Sequence, residues 1–266
     1  MSFQGLASEH RAVGSNERLS SGVPDLDKLL GGGIERGTST LIAGAAGTGK
    51  STVSAQFVCS AAKSGHKAAL FVFDENVNTL LTRARGLNID LQPHLDSGLV
   101  TIQQVDPAEL SPGELTHAIR QAVARGVSIL VVDSLNGYLN AMPGERHLII
   151  QLHELLTYLG QAGVATILVS AHHGLIGTQM ISPVDASYLA DAVIVMRYFE
   201  TGGEVRQAIS VLKKRGGAHE RSIREFRMHD GRISVGPPLR EFRGILTGVP
   251  VIEREMSPGV TPSKPS

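Results

Sequence analysis

The octapeptide GAAGTGKS, residues 44–51, constrains this chain more than any other stretch. It has the spacing of a phosphate-binding loop, and it stands where such a loop must stand, between the apolar run TLIAG and the helix-like run KSTVSAQFVCSAAKSG, which Gly65 can end. Glycines at 44, 47 and 49 let main-chain N–H groups turn toward an anion, and the N-terminus of the following helix adds favourable partial charge. Lys50 is placed to reach the β- and γ-phosphates of a nucleotide, and Ser51 to ligate Mg²⁺. The predicted nucleotide-binding set is Gly44, Ala45, Ala46, Gly47, Thr48, Gly49, Lys50, Ser51 and Thr52.

The rest of the pattern suits that loop. Apolar runs KAALFVF (67–73), LVTIQQV (99–105), SILVVD (128–133) and ATILVSA (165–171) read as strands. Between them lie the short helix NTLLTRARG, a helix start at SPGEL with Ser111 as N-cap, Pro112 in the first turn and Glu114 at the capping-box position, and a leucine stripe at 148, 152, 155, 156 and 159. Alternating strands and helices predict a parallel sheet with right-handed crossovers. After residue 190 the pattern changes to AVIVMRYF, VRQAISVL, SIREFRM and RISV, with turn signals ETGGE and HDGR between neighbours. Antiparallel hairpins are therefore expected to extend one edge of the sheet. The polar residues 1–16 and the Pro/Ser-rich end of 246–266 are expected to be mobile, leaving one domain over 17–245.

Asp133 ends the apolar strand SILVVD, where a carboxylate can approach the magnesium from a neighbouring strand tip. Asp74 and Glu75 stand at another tip, on the edge where open α/β sheets bind ligands, and can orient and deprotonate an attacking water. A helix cap plus a first-turn acid also fits that pair. His172 and His173 are strand neighbours, so they do not point together at one metal; a γ-phosphate sensor and a hydrogen-bonded loop histidine both fit.

Composition narrows the function. Twenty-five basic residues balance twenty-five acidic ones, so no overall charge field advertises nucleic acid or an anionic membrane. Nucleic acid is not the expected partner, and no apolar window approaches a membrane span. The single cysteine, Cys59, excludes an internal disulfide and fits a core position in a cytoplasmic protein.

RLSSGVPDLDKLLGGGIERG, GAAGTGKST, FVFDE, VVDSLNGYL, ASYLADAVIVMRYFE, LKKRGGAHERSIREF and REFRGILTGVP together resemble the KaiC family of RecA-like ATPases, from about residue 18 to 250. The resemblance implies a RecA-like P-loop core and a homo-oligomer, expected to be a hexameric ring with ATP held between neighbours. In the family the lysine and arginine of a K-x-R segment reach into the next subunit's site; the matching residues are Lys213 and Arg215. A solvated basic edge strand is the alternative reading of the same cations. The family's glutamate pair is replaced here by Asp74 and Glu75. Aligned through ASYLAD, the autophosphorylating serine and threonine of clock-type members become Ser187 and Tyr188, which makes Ser187 a candidate phosphosite. The expected function is ATP hydrolysis in signal transduction, with a signalling protein as partner. Its rivals are a nucleotide-gated interaction module with little turnover, in which ATP serves assembly, and a DNA-dependent ATPase.

Overall fold

Two short antiparallel strands, β1 (Arg18–Leu19) and β2 (Ile34–Glu35), enclose the helix α1 (Pro24–Leu29) and lead into the main sheet. The computed structural model describes residues 17–106, 112–140, 148–172, 186–247 and 251–252. Its nine-stranded sheet comprises β3 (Ser39–Ala45), β4 (Lys67–Val72), β5 (Val100–Gln104), β6 (Val127–Asp133), β7 (Ala165–His172), β8 (Ala192–Thr201), β9 (Glu204–Lys214), β10 (Ile223–His229) and β11 (Arg232–Pro238). The helices α2 (Lys50–Lys63), α3 (Val77–Arg85), α4 (Gln92–Asp96), α5 (Pro112–Ala124), α6 (Leu135–Asn140) and α7 (Leu148–Gln161) connect or cover the strands. A final pair, β12 (Phe242–Arg243) and β13 (Val251–Ile252), is antiparallel.

The order across the sheet is β11-β10-β9-β8-β3-β7-β6-β4-β5. From β8 to β5 every pairing is parallel, and from β8 outward to β11 every pairing is antiparallel. The chain is thus a RecA-like α/β core, with hairpins extending one edge as the sequence predicts. β3 lies inside the sheet, and its chain continues past β7 and β6 to reach β4, so its C-terminal end opens beside a crossover.

Two apolar layers explain why the parallel strands read as continuous apolar runs. Ile42, Val72, Val131, Val169 and Ile194 face α1–α4, in a layer with Phe57, Val58 and Leu80. Their strand neighbours Leu41, Phe71, Leu130, Leu168 and Val193 face α5 and α7, in a layer with Ile119, Leu152 and Leu159. A strand covered on both faces needs apolar side chains at odd and even positions alike. In the leucine stripe of α7, residues 148, 152, 155 and 159 are buried and Leu156 is partly buried at its margin. The two hairpin turns are tight because both central residues adopt positive φ: Gly202 and Gly203 at 59° and 77°, Asp230 and Gly231 at 53° and 67°. The expected cap Ser111, His173 and both chain ends lie outside the described residues.

Candidate functional site: a phosphate-binding cleft

Most of the residues that the sequence assigns to phosphate, metal and water meet at the C-terminal ends of three parallel strands. The tips of β3, β4 and β6 line a cleft of about 700 Å³ whose walls include Gly47, Gly49, Lys50, Ser51, Asp74, Glu75 and Asp133. The loop shape depends on backbone that side chains disfavour. Gly49 precedes α2 at φ 100°, and a Cβ there would stand 2.7 Å from Phe226 Cε1 and 3.1 Å from Met228 Sδ. Gly44 has no room either, since its Cβ would lie 2.3 Å from the Met196 carbonyl oxygen. Thr48 Oγ1 donates to the Ala45 carbonyl at 2.9 Å and closes the turn from inside.

Lys50 is only 6% exposed, and its Nζ donates to the Ala45 carbonyl at 2.7 Å. Burial pulls the Lys50 ammonium below the usual lysine range, while the charge of Asp133 partly restores it. Burial pushes the Asp133 carboxyl up; a hydrogen bond from Ser51 and the charge of Arg83 oppose that, and the nearby Glu75 and Asp74 charges add to it. Both shifts arise chiefly from burial, which a ligand of opposite charge would offset. A triphosphate would satisfy Lys50, and a divalent cation would satisfy Asp133 beside the Ser51 hydroxyl. Among the described residues no cluster of three or more His, Cys, Asp or Glu side chains is arranged to hold a metal. A magnesium ion held by one hydroxyl, one carboxylate, water and phosphate oxygens needs no such cluster, so Ser51 and Asp133 fit that ion.

The adjacent carboxylates are held differently. The Ser134 hydroxyl donates to Asp74 Oδ2, and its oxygen accepts from the Gly137 N–H at 3.1 Å. Glu75 is gripped by Arg83: Nε donates to Oε1 at 3.1 Å and Nη2 to Oε2 at 2.7 Å. The third arm of the guanidinium, Nη1, donates to Thr52 Oγ1 at 2.9 Å. Neither acid caps α3. That cap is Asn76, whose side chain accepts from the Asn78 N–H at 2.8 Å, which leaves Asp74 and Glu75 on the loop facing the cleft. A further buried amide, Asn136, accepts from the Ala171 N–H at 2.8 Å and from Ser170 Oγ at 3.2 Å, tying α6 to β7 behind the site.

Lys213, Arg215 and Ser187 lie elsewhere. Lys213 pairs with Val193, and the Arg215 N–H donates to the Asp191 carbonyl at 2.8 Å, whereas the Asp191 N–H donates to Ser39 at the start of β3. Six residue-to-residue steps of extended chain lead from Ser39 to Ala45, about 20 Å at ~3.3 Å per step. The two cations therefore sit at the end of the parallel strands opposite the loop of residues 44–51. Lys213 Nζ donates to the carbonyls of Ser187 at 2.9 Å and Ala190 at 2.8 Å. Arg215 bridges Asp191 at 3.2 Å and donates to the Tyr188 carbonyl, with its side chain 55% exposed. Ser187 lies in a 3-10 turn, Ala186–Tyr188, so this turn and the two cations form one cluster. β7 extends to His172, one residue beyond the expected strand.

Sequence reasoning missed four contributors: Arg83, Ser134, Phe226 and Met228. Ser134 adjoins Asp133, and Arg83 lies eight residues after Glu75, but neither spacing is a recognised motif. Phe226 and Met228 come from the far side of the sheet and carry no local signal.

Comparison with known proteins agrees with this geometry. The sequence profile of the KaiC ATPase family matches residues 19–240. The circadian clock protein KaiC3 of Synechocystis sp. is 28% identical over 240 residues, covering 89% of this chain and 47% of that protein. The circadian clock oscillator protein KaiC of Prochlorococcus marinus is 29% identical over 242 residues, with the same coverage. The chain spans about half the length of these relatives. With the loop, the strand tips and the profile in agreement over most of its length, the chain belongs to the KaiC ATPase family.

Proposed function

We propose that the chain binds ATP with Mg²⁺, hydrolyses it, and assembles into a nucleotide-bridged ring, expected to be a hexamer, that acts in signal transduction in the cytoplasm. Residues 44–52 hold the phosphates, and Ser51 and Asp133 hold the metal. The metal supplies charge neutralisation on the phosphate oxygens. Glu75, with Asp74, orients the water and accepts its proton. Lys213 and Arg215 act on the neighbouring subunit's nucleotide, where a cation stabilises phosphoryl-transfer charge and makes hydrolysis depend on assembly. The domain that does this spans 17–245. The single observation carrying the reading is the meeting of Lys50, Ser51, Asp133 and Glu75 in one cleft. Action in trans is supported by the register that holds Lys213 and Arg215 at the opposite end of the strands from the loop. Ser187, whose carbonyl accepts from Lys213, is the proposed site of autophosphorylation in the same interface.

Mixed assemblies test the trans assignment. Lys50→Ala and the double variant Lys213→Ala/Arg215→Ala should each lose about 10²-fold or more in phosphate release. Mixing them should restore a fraction of it, because Lys50→Ala subunits still supply both cations to intact loops. Zero recovery in assemblies shown by native mass to be mixed rules out completion by a neighbour. A nucleotide-loaded chain that stays monomeric defeats the ring itself.

A second reading, a nucleotide-gated interaction module with little turnover, is favoured by one observation. Both candidate water-activating carboxylates are already engaged within the chain, Asp74 by Ser134 and Glu75 by Arg83. Single-turnover hydrolysis on assembled protein separates the two readings.

A further inference from the structure

The Arg83 clamp on Glu75 goes one step beyond the reading above and rests on it. Three of the guanidinium's donors are committed at once: two to the two oxygens of Glu75 and one to Thr52, the residue after the proposed metal ligand Ser51. Such a fork is a strong, charge-assisted hold on a carboxylate, and it engages both oxygens that could take a proton from water. Arg83 also lines the cleft that contains Gly47 and Lys50, and its charge is felt at Asp133. It springs from the last turn of α3, with its side chain 32% exposed, so its far end can change partners without unfolding the helix. A guanidinium forks phosphate oxygens as well as it forks a carboxylate. The dianionic end of a nucleotide placed on Lys50 and Ser51 is therefore a direct competitor of Glu75 for Arg83.

We propose that Arg83 is a positioning residue shared between Glu75 and the nucleotide phosphates: it holds Glu75 by both oxygens, and phosphate draws it away and releases that carboxylate to the attacking water. The chain thereby ties the availability of its base to occupancy of its own cleft. This control acts within one subunit and is separate from the one exerted by Lys213 and Arg215 across an interface. It also accounts for the engaged state of Glu75 without making the site inert.

Thermodynamic coupling between the two residues is the test, read as the affinity of a fluorescent non-hydrolysable ATP analogue with Mg²⁺. Glu75→Gln removes the competing charge and should tighten binding about tenfold, the scale of one charge-assisted contact. In an Arg83→Met background the same Glu75→Gln change should leave affinity within about twofold, because no guanidinium remains to be released. Arg83→Met alone should raise KM several-fold, because the phosphates lose a guanidinium partner. Arg83→Lys, which keeps the charge and loses the fork, should lie between. The proposal is overturned if Glu75→Gln leaves affinity unchanged, if it tightens binding equally with and without Arg83, or if Arg83→Met lowers kcat with KM unchanged. Failure of the unaltered chain to bind the analogue would instead defeat the nucleotide-site reading on which the clamp depends.

Discussion

The parallel and antiparallel halves of the sheet both carry cations and carboxylates, and they treat them in opposite ways. In the parallel half the charged groups stand at strand tips above two apolar layers, and burial drives Lys50 and Asp133 away from their ordinary protonation ranges. In the antiparallel half the cations are satisfied internally. Arg224 is forked by Glu220 at 2.9 and 2.8 Å and reaches Asp25 and the Gly236 carbonyl, and Lys214 is held by Glu35 and the Leu30 carbonyl. Desolvated charge at strand tips marks the half proposed to take the nucleotide, and in the other half paired charge holds the shape, with Lys213 and Arg215 the two cations proposed to act beyond the chain.

The strongest challenge to this division lies where the halves touch. Gly49→Ala forces a Cβ at positive φ to within 2.7 Å of Phe226, so it should cost about 3 kcal/mol in urea unfolding and should also abolish ATP binding. Loss of binding with stability untouched would show that β10 is no wall to the loop. Next comes the three-cation run at the end of β9. Lys214 is 5% exposed at its side chain, and Lys214→Met should destabilise by about 2 kcal/mol, a cost moderated because Glu35 keeps Arg18 at 3.1 Å. Arg215→Ala should change stability by less than about 1 kcal/mol, as expected for an exposed ion pair, while phosphate release falls in assembled protein. Equal thermal shifts for the two would erase the distinction between holding and acting.

A further small effect is a pH dependence. A hydrogen bond from Arg224, reinforced by one from Ser222, keeps the Glu220 carboxyl below the ordinary carboxylate range. A depressed carboxylate contributes stability above its unfolded-state pKa and loses that contribution as pH falls through the lower folded-state value. Glu220→Gln should therefore cost about 1 kcal/mol at neutral pH, and the difference from the unaltered chain should close in acid. A gap that stays constant across the acid range would remove this pair from the account of how the antiparallel half is held.

How much of this was legible beforehand follows from range along the chain. Local periodicity reveals β3, β4, β6, β7 and α7, because each is a run of apolar residues with its turn signals beside it. The hairpins are equally plain, since ETGGE and HDGR supply the positive-φ residues that tight turns need. The short elements α1, α4, α6 and the β1–β2 pair give too few periodic positions to register. Lys50, Ser51, Asp133, Asp74 and Glu75 are legible because each has a fixed place relative to a strand tip. Arg83 is not, because an arginine on a polar helix reads as solvated until the loop that bears Glu75 is seen to fold back beside it. Nor does any spacing reveal that Phe226 and Met228, about 180 residues downstream, back the phosphate loop. Sheet order decides that, and periodicity within one strand is blind to order.

The contact of Phe226 with the space behind Gly49 makes strand register a condition for ligand binding. Side chains alternate across a strand, so deleting one residue ahead of Phe226 in β10 would swing its ring to the reverse side and leave the loop without backing. A chain so shortened would keep every glycine and lysine of its phosphate motif intact and still lose its grip on the nucleotide.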